Sequence, residues 1–250
     1  MIWKILFILA VALEFVFVPY FLKFSWPKKC HKSMIYKMIC SALFLSAGFL
    51  AVKISGNHTP YATMILWGLF LGLVGDFFLH LLTEKIYILG IGLFAFLGGH
   101  IFYIIAFQKA IAMTYPDKSF FRWYEIIGVL VLVGLISLYV VKKKVKAKIF
   151  MVIPVLLYAI TISAMVAKAL RFCIGEWVYG TNDHMIMIFV TVVVGAILFL
   201  LSDATLGMIL FAGQGSNRPL KIFNIATYYA AQILLASSIF FVQSQLLYGT

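Results

Sequence analysis

Carboxylates are scarce in this sequence: eight aspartates and glutamates stand among 250 residues, against 20 lysines and arginines. Charged residues of both signs make up only 11% of the chain, where a soluble domain carries about a quarter. A water-soluble surface cannot be built from so few, which excludes an ordinary globular fold. Cysteine is equally sparse. Cys30, Cys40 and Cys173 are odd in number and far apart, so they form neither a disulfide framework nor a metal-ligand spacing. No Walker loop, dinucleotide fingerprint, c-type haem motif or Ser-His-Asp order is present, and no cofactor is expected.

What fills the chain is apolar: 64% hydrophobic residues, 17% aromatic, and a mean hydropathy of +1.08. Lipid must be the solvent for most of it. The apolar residues fall in runs of about 20, each roughly 30 Å long as helix. Eight spans are expected, over 2–22, 34–54, 60–82, 86–107, 124–141, 149–171, 185–211 and 221–247, forming one all-α polytopic bundle with no soluble domain. Loops 108–123 and 172–184 are the long ones. The runs are apolar on every face, whereas barrel strands alternate over about ten residues. The first run is too long for a signal-peptide core and lacks a small-residue cleavage pattern, so it reads as a retained span.

The net charge of +12 is not a nucleic-acid signature, because no aromatic or glycine pattern of a binding module accompanies it. The basic residues gather in short loops, as in Lys23, Lys28, Lys29, Lys32 and Lys37, and again in Lys142, Lys143, Lys144, Lys146 and Lys148. About two thirds of them lie on the side that holds the loops after spans one, three, five and seven. That side is therefore cytoplasmic, and both termini are expected on the opposite one. A bacterial cytoplasmic membrane fits so loop-poor a chain best, with an endoplasmic-reticulum membrane as the alternative.

Ionisable groups inside spans cost several kcal/mol unless paired, hydrated or protonated. Glu14, Asp76, His80, His100 and Asp203 lie well inside; Lys37 and Lys168 lie nearer the ends. Asp76 and Asp203 sit on spans running the same way, each about five residues past the span midpoint. That places them at matching depth in the cytoplasmic half, as two walls of one cavity or as two separate helix-locking groups. Tyr158, Tyr228 and Tyr229 fall in the same half. His100 is expected one or two turns outward of the aspartates, as helix glue beside Gly98 and Gly99. Asp76 and His80 share a helix face, but each histidine stands alone on its span, so no metal is assigned. Glu14 is read as a satisfied inter-helix hydrogen bond, and Pro154 as a kink. Gly75-Asp76-Phe77-Phe78-Leu79 is echoed by Ser202-Asp203-Ala204-Thr205-Leu206 four spans later, which raises a duplicated four-helix unit as an alternative to chance recurrence.

Several short pieces in order resemble the YhhN family of membrane proteins, whose characterised members are lysoplasmalogenases. They are Gly75-Asp76 with Leu79, Gly92-Leu93-Phe94, and Gly99-His100-Ile101-Phe102-Tyr103 with Phe107. Pro154-Val155-Leu156-Leu157-Tyr158, Phe199-Leu200-Leu201-Ser202-Asp203-Ala204 and Tyr228-Tyr229-Ala230-Ala231-Gln232 follow. The family often shows Lys-Pro at the start of span two; here Lys37 is followed by Met38. The resemblance implies hydrolysis of the vinyl ether of a lysoplasmalogen to a fatty aldehyde and a glycerophospho-alcohol. It implies Asp76 and Asp203 as catalytic carboxyls, with Lys37, His100, Tyr103, Tyr158, Ser202, Tyr228, Tyr229 and Gln232 around the lipid. A vinyl ether is hydrolysed by protonating its β-carbon, and one protonated and one ionised carboxyl meet that need, as in glycosidases. The competing class is a proton-coupled transporter using the same aspartates. A third class is a lipid-binding or structural protein, in which they only lock helices.

Overall fold

The computed structural model describes residues 1–56, 58–81, 85–114, 119–142, 149–179 and 184–248, with backbone only at 139–142, 149–152, 154 and 243–248. Among these residues there are eight helices and no strand. They are α1 (Ile2–Phe24), α2 (His31–Ser55), α3 (Pro60–His80), α4 (Ile86–Thr114), α5 (Trp123–Lys142), α6 (Ile149–Tyr179), α7 (Met185–Phe211) and α8 (Arg218–Tyr248). Seven of them are long and apolar enough to cross a membrane, and α5 adds a shorter described apolar stretch, Trp123–Leu138. The chain is an all-α, multi-pass integral membrane protein. The readings placed on Lys143–Lys148 and on the Pro154 side chain lie outside the described residues.

Local chemistry sets the boundaries. Cys30 caps α2 by accepting from the Ser33 backbone N–H, while Ser33 Oγ accepts from Cys30 N–H at 3.0 Å. Thr59 caps α3, and Pro60 opens it where no backbone donor is needed. Gly56 ends α2 at φ 78°, a left-handed conformation open to glycine. Two helices outrun the expectation from hydropathy: α4 continues from Phe107 to Thr114, and α6 from Arg171 to Tyr179. Hydropathy marks where the slab ends, not where helix propensity ends. Ala110 and Ile111 remain fully buried in that extra length, so packing sustains the helix and the two long loops shrink.

In lipid, apolar side chains gain little by leaving solvent, so close backbone approach carries the packing. Along α3, a Cβ at Gly68 would overlap the Tyr103 ring of α4, and one at Gly75 would lie 2.7 Å from the Phe96 ring. The neighbours repeat with an offset of four. α1–α2 corresponds to α5–α6, α2–α3 to α6–α7, α3–α4 to α7–α8, and α2–α8 to α6–α4. The echo between the two aspartate motifs is thus matched by the arrangement of the helices that carry them. Helix α7 departs from regular geometry in a π-helical stretch, Phe189–Val194.

Lys168 was expected near a span end. It lies within α6, fully buried, because the helix is longer than its apolar run. Lys168 Nζ pairs with Glu125 Oε1 at 2.8 Å, and Arg171 Nη1 with Glu125 Oε2 at 2.7 Å. Together they tie the start of α5 to α6.

Candidate active site

On α2, Lys37 and Ser41 are one turn apart and share a face, and both reach Asp76 on α3. Lys37 Nζ lies 2.8 Å from Oδ1, and Ser41 Oγ donates to Oδ2 at 2.6 Å. Tyr228 on α8 donates to the same Oδ2 at 2.8 Å. Behind it, Gln232 Nε2 donates to the Tyr228 hydroxyl at 3.0 Å, and the Tyr103 hydroxyl donates to Gln232 Oε1 at 2.8 Å. Lys37 Nζ also sits 5.3 Å from the Phe21 ring centroid. Asp76 is 1% exposed, and its charge is met by an ammonium and two hydroxyls, the arrangement a buried carboxylate requires. Gly72 makes this possible, since a Cβ there would overlap Gln232 Nε2.

Asp203 on α7 is bound by a parallel set. Tyr158 on α6 donates to Oδ2 at 2.6 Å, and His100 on α4 places Nε2 2.8 Å from the same oxygen. His100 Nε2 and the Tyr158 hydroxyl are 3.0 Å apart. Under the four-helix offset, α2 with its Ser41 corresponds to α6 with its Tyr158, and α8 with its Tyr228 to α4 with its His100. Each aspartate is therefore held from the helix before it and from the last helix of the other half. No second cation enters at Asp203 to correspond to Lys37 among the described residues.

An aromatic layer separates the two networks. The Phe199 ring lies 4.7 Å from His100 and 5.5 Å from Tyr228, and Phe96 lies 5.7 Å from Tyr228. On one side of this layer is a cavity of about 870 Å³ walled by α4, α5, α6, α7 and the start of α8. Its lining is apolar except for Tyr158, Asp203 and Thr205. Three lining residues, Phe94, Leu135 and Leu157, are more than half exposed, so the cavity opens sideways on the lipid-facing surface. Asp76 is not part of its lining.

His100 was expected outward of the aspartates. It meets Asp203 directly: His100 falls at the centre of α4, and the offset between α4 and α7 brings it to the carboxyl. Glu14 was expected to be satisfied. Both of its carboxyl oxygens are buried without a hydrogen-bond partner among the described residues. Ser202 is turned away from Asp203 and locks α7 to α8, where Asn224 Nδ2 donates to its backbone carbonyl at 2.8 Å. His80 Nε2 is 2.7 Å from Ser33 Oγ. Sequence reading missed Ser41, whose spacing of four from Lys37 was the available signal. It also missed the cavity wall, which has none.

Fold and site thus define a multi-pass membrane protein with two buried aspartate networks, one of them open to a lipid-facing cavity. The YhhN family profile matches residues 33–239, and the chain belongs to the YhhN family. Over 116 residues it is also 36% identical to a protein of Methanocaldococcus jannaschii named "Uncharacterized transporter MJ0672". That match covers 44% of this chain and 25% of the archaeal protein, so the chain spans only a quarter of that relative's length. No solved structure matches the chain.

Proposed function

We propose that the chain is a membrane-embedded ether hydrolase that cleaves the vinyl ether of lysoplasmalogens, the activity found in the YhhN family. The observation that carries this reading is Asp203, a carboxyl on the wall of an apolar, side-opening cavity and fixed there by His100 and Tyr158. The alkenyl chain lies in the cavity with its ether carbon–carbon double bond at Asp203. Asp203 gives its proton to the β-carbon, and the carbon bonded to oxygen becomes an oxocarbenium centre. Water adds there, returning one proton to Asp203. The resulting hemiacetal splits its bond to the glycerol oxygen, its hydroxyl proton moving to that oxygen, and yields aldehyde and glycerophospho-alcohol. The proton balance is zero, so no relay to bulk water is required. Asp76, held by Lys37, Ser41 and Tyr228, is the ionised member of the pair; it sets the position of Tyr228 and, through Gln232, of Tyr103. Tyr229 and Ser202 support the α8 side of the same structure.

The test is aldehyde release from lysoplasmalogen by purified protein in deuterated water. One deuterium on a single face of the aldehyde α-carbon, with slowed turnover, is the expected result, the aldehyde being trapped as alcohol before exchange. Label on both faces and no rate effect would remove Asp203 as the acid. The topology that goes with this reading has both termini outside the cytoplasm, and an active C-terminal alkaline-phosphatase fusion in a bacterial host checks it.

The name of the archaeal relative supports a second reading, proton-coupled transport through the same aspartates. Proteoliposomes carrying a pH-sensitive dye distinguish the two: substrate-dependent proton flux without aldehyde favours transport.

A further inference from the structure

Three lysines from three parts of the chain converge over the end of α3. Lys29, in the α1–α2 connection, donates from Nζ to the Leu79 carbonyl at 2.6 Å. Lys37 reaches Asp76 one turn earlier on the same helix. Lys221, at the start of α8, holds its ammonium 5.2 Å from the Trp26 ring centroid, in the same connection as Lys29. The charges of Lys37 and Lys221 act on Lys29, and all three act on His80. The carboxylate facing them among the described residues is Asp76, so two positive charges have no anionic partner there. Lys221 is flanked by Leu220 and Phe223, both of which line the cavity. Through Lys221, a cationic cluster therefore adjoins an apolar chamber, which is the polarity of an anionic amphiphile.

We propose that Lys29, Lys37 and Lys221 form the binding site for the phosphate anion of a lysophospholipid whose chain occupies the cavity. This rests on the hydrolase reading for the identity of the lipid, and its own content is the phosphate site. Lysine suits it as a compact point charge on a long stem that adjusts to a mobile headgroup. The crowding of like charge supports the assignment. Partial burial, then Lys37 and Lys221, push the Lys29 ammonium down to about 8, a cost that an incoming phosphate offsets. The sign follows: Lys29 is cationic below that value and loses its charge as pH rises through it. The other groups facing it are His80 and Asp76 on α3, Lys37 on α2 and Lys221 on α8.

Binding is measured on the whole protein in nanodiscs, using a saturated-ether lysophospholipid that has no vinyl ether to hydrolyse. Trp26 fluorescence reports occupancy, and a Trp26→Phe protein identifies its share of the signal. Lys29→Gln and Lys221→Gln are each expected to weaken binding about 10-fold, the value of one charge-assisted contact. Neither should change binding of the phosphate-free alkylglycerol, and Lys29→Arg should restore the wild-type affinity. Wild-type affinity should fall as pH passes about 8, and that fall should vanish in Lys29→Gln. Equal effects on both lipids, or none on either, overturn the site. Inorganic phosphate that binds with these lysines while the lysolipid ignores their loss also overturns it, by assigning the site to free anion. Lysolipid binding without any aldehyde from a true lysoplasmalogen would sink the hydrolase reading and leave the phosphate site standing.

Discussion

Asp76 and Asp203 begin from the same local pattern, a small residue, aspartate, two residues and leucine, and reach opposite settings. Around Asp76 everything is closed: Gly75 admits the Phe96 ring, Leu79 packs on Gly92, and Lys37 supplies a full counter-charge. Around Asp203 the side chains are held as tightly, by His100 and Tyr158, yet one wall is missing. Leu206 faces the cavity where Leu79 faces a helix. The comparison teaches that the helix scaffold supplies the hydrogen-bonding frame twice over. On the proposed hydrolase reading, what separates them is whether the space beside the carboxyl is filled and whether a cation sits on it.

Substitutions that separate the two networks test this directly. Asp203→Asn keeps the shape and should lower turnover about 10³-fold, within the usual range for loss of a general acid, with little change in thermal stability. Asp76→Asn leaves Lys37 without its carboxylate. It should cost about 3–5 kcal/mol of stability as well as activity, read as a lowered melting temperature in detergent. Adding Lys37→Met should recover much of that stability, since the orphaned charge goes with it. If Asp203→Asn proved the destabilising variant and Asp76→Asn the silent one, the assignment of roles would be reversed.

Smaller changes sharpen the picture at the cavity. Gly90 lines it, and a Cβ there meets nothing within 4 Å, so Gly90→Phe should fold and fill chain space. Each methylene it displaces is worth about 0.8 kcal/mol, so long-chain substrates should lose roughly fourfold per methylene in kcat/KM while short ones are spared. Tyr158→Phe removes one of two donors to Asp203 and should cost about tenfold in turnover, equivalent to about 1.4 kcal/mol. The smallest effect on function is expected at Glu14, which lies outside both networks and has no hydrogen-bond partner for either oxygen among the described residues. Glu14→Met should leave turnover intact and raise stability by about 1–3 kcal/mol. A large loss of activity in that variant would bring α1 into the site.

Helix number, helix class and membrane setting were legible in the sequence because they depend on totals: apolar run lengths against the thickness of hydrocarbon, and the rarity of charge within them. The two aspartates were legible for a related reason, since an ionisable group in a span stands out without any knowledge of its neighbours. Helix ends at α4 and α6 were not, because packing of Ala110 and Ile111 in one, and of Phe172 and Cys173 in the other, extends a helix beyond the slab that hydropathy detects. Depth counted along one helix likewise misplaced His100 relative to Asp203, since contact depends on how two helices are offset. The sequence by itself determined that this chain folds as a lipid-embedded helical bundle with a repeated aspartate motif. Only the tertiary structure decided that Lys37 belongs to one aspartate and the cavity to the other. Side chains on α2, α4, α6 and α8 reach the aspartates across helix contacts, and no spacing along the chain records which faces meet.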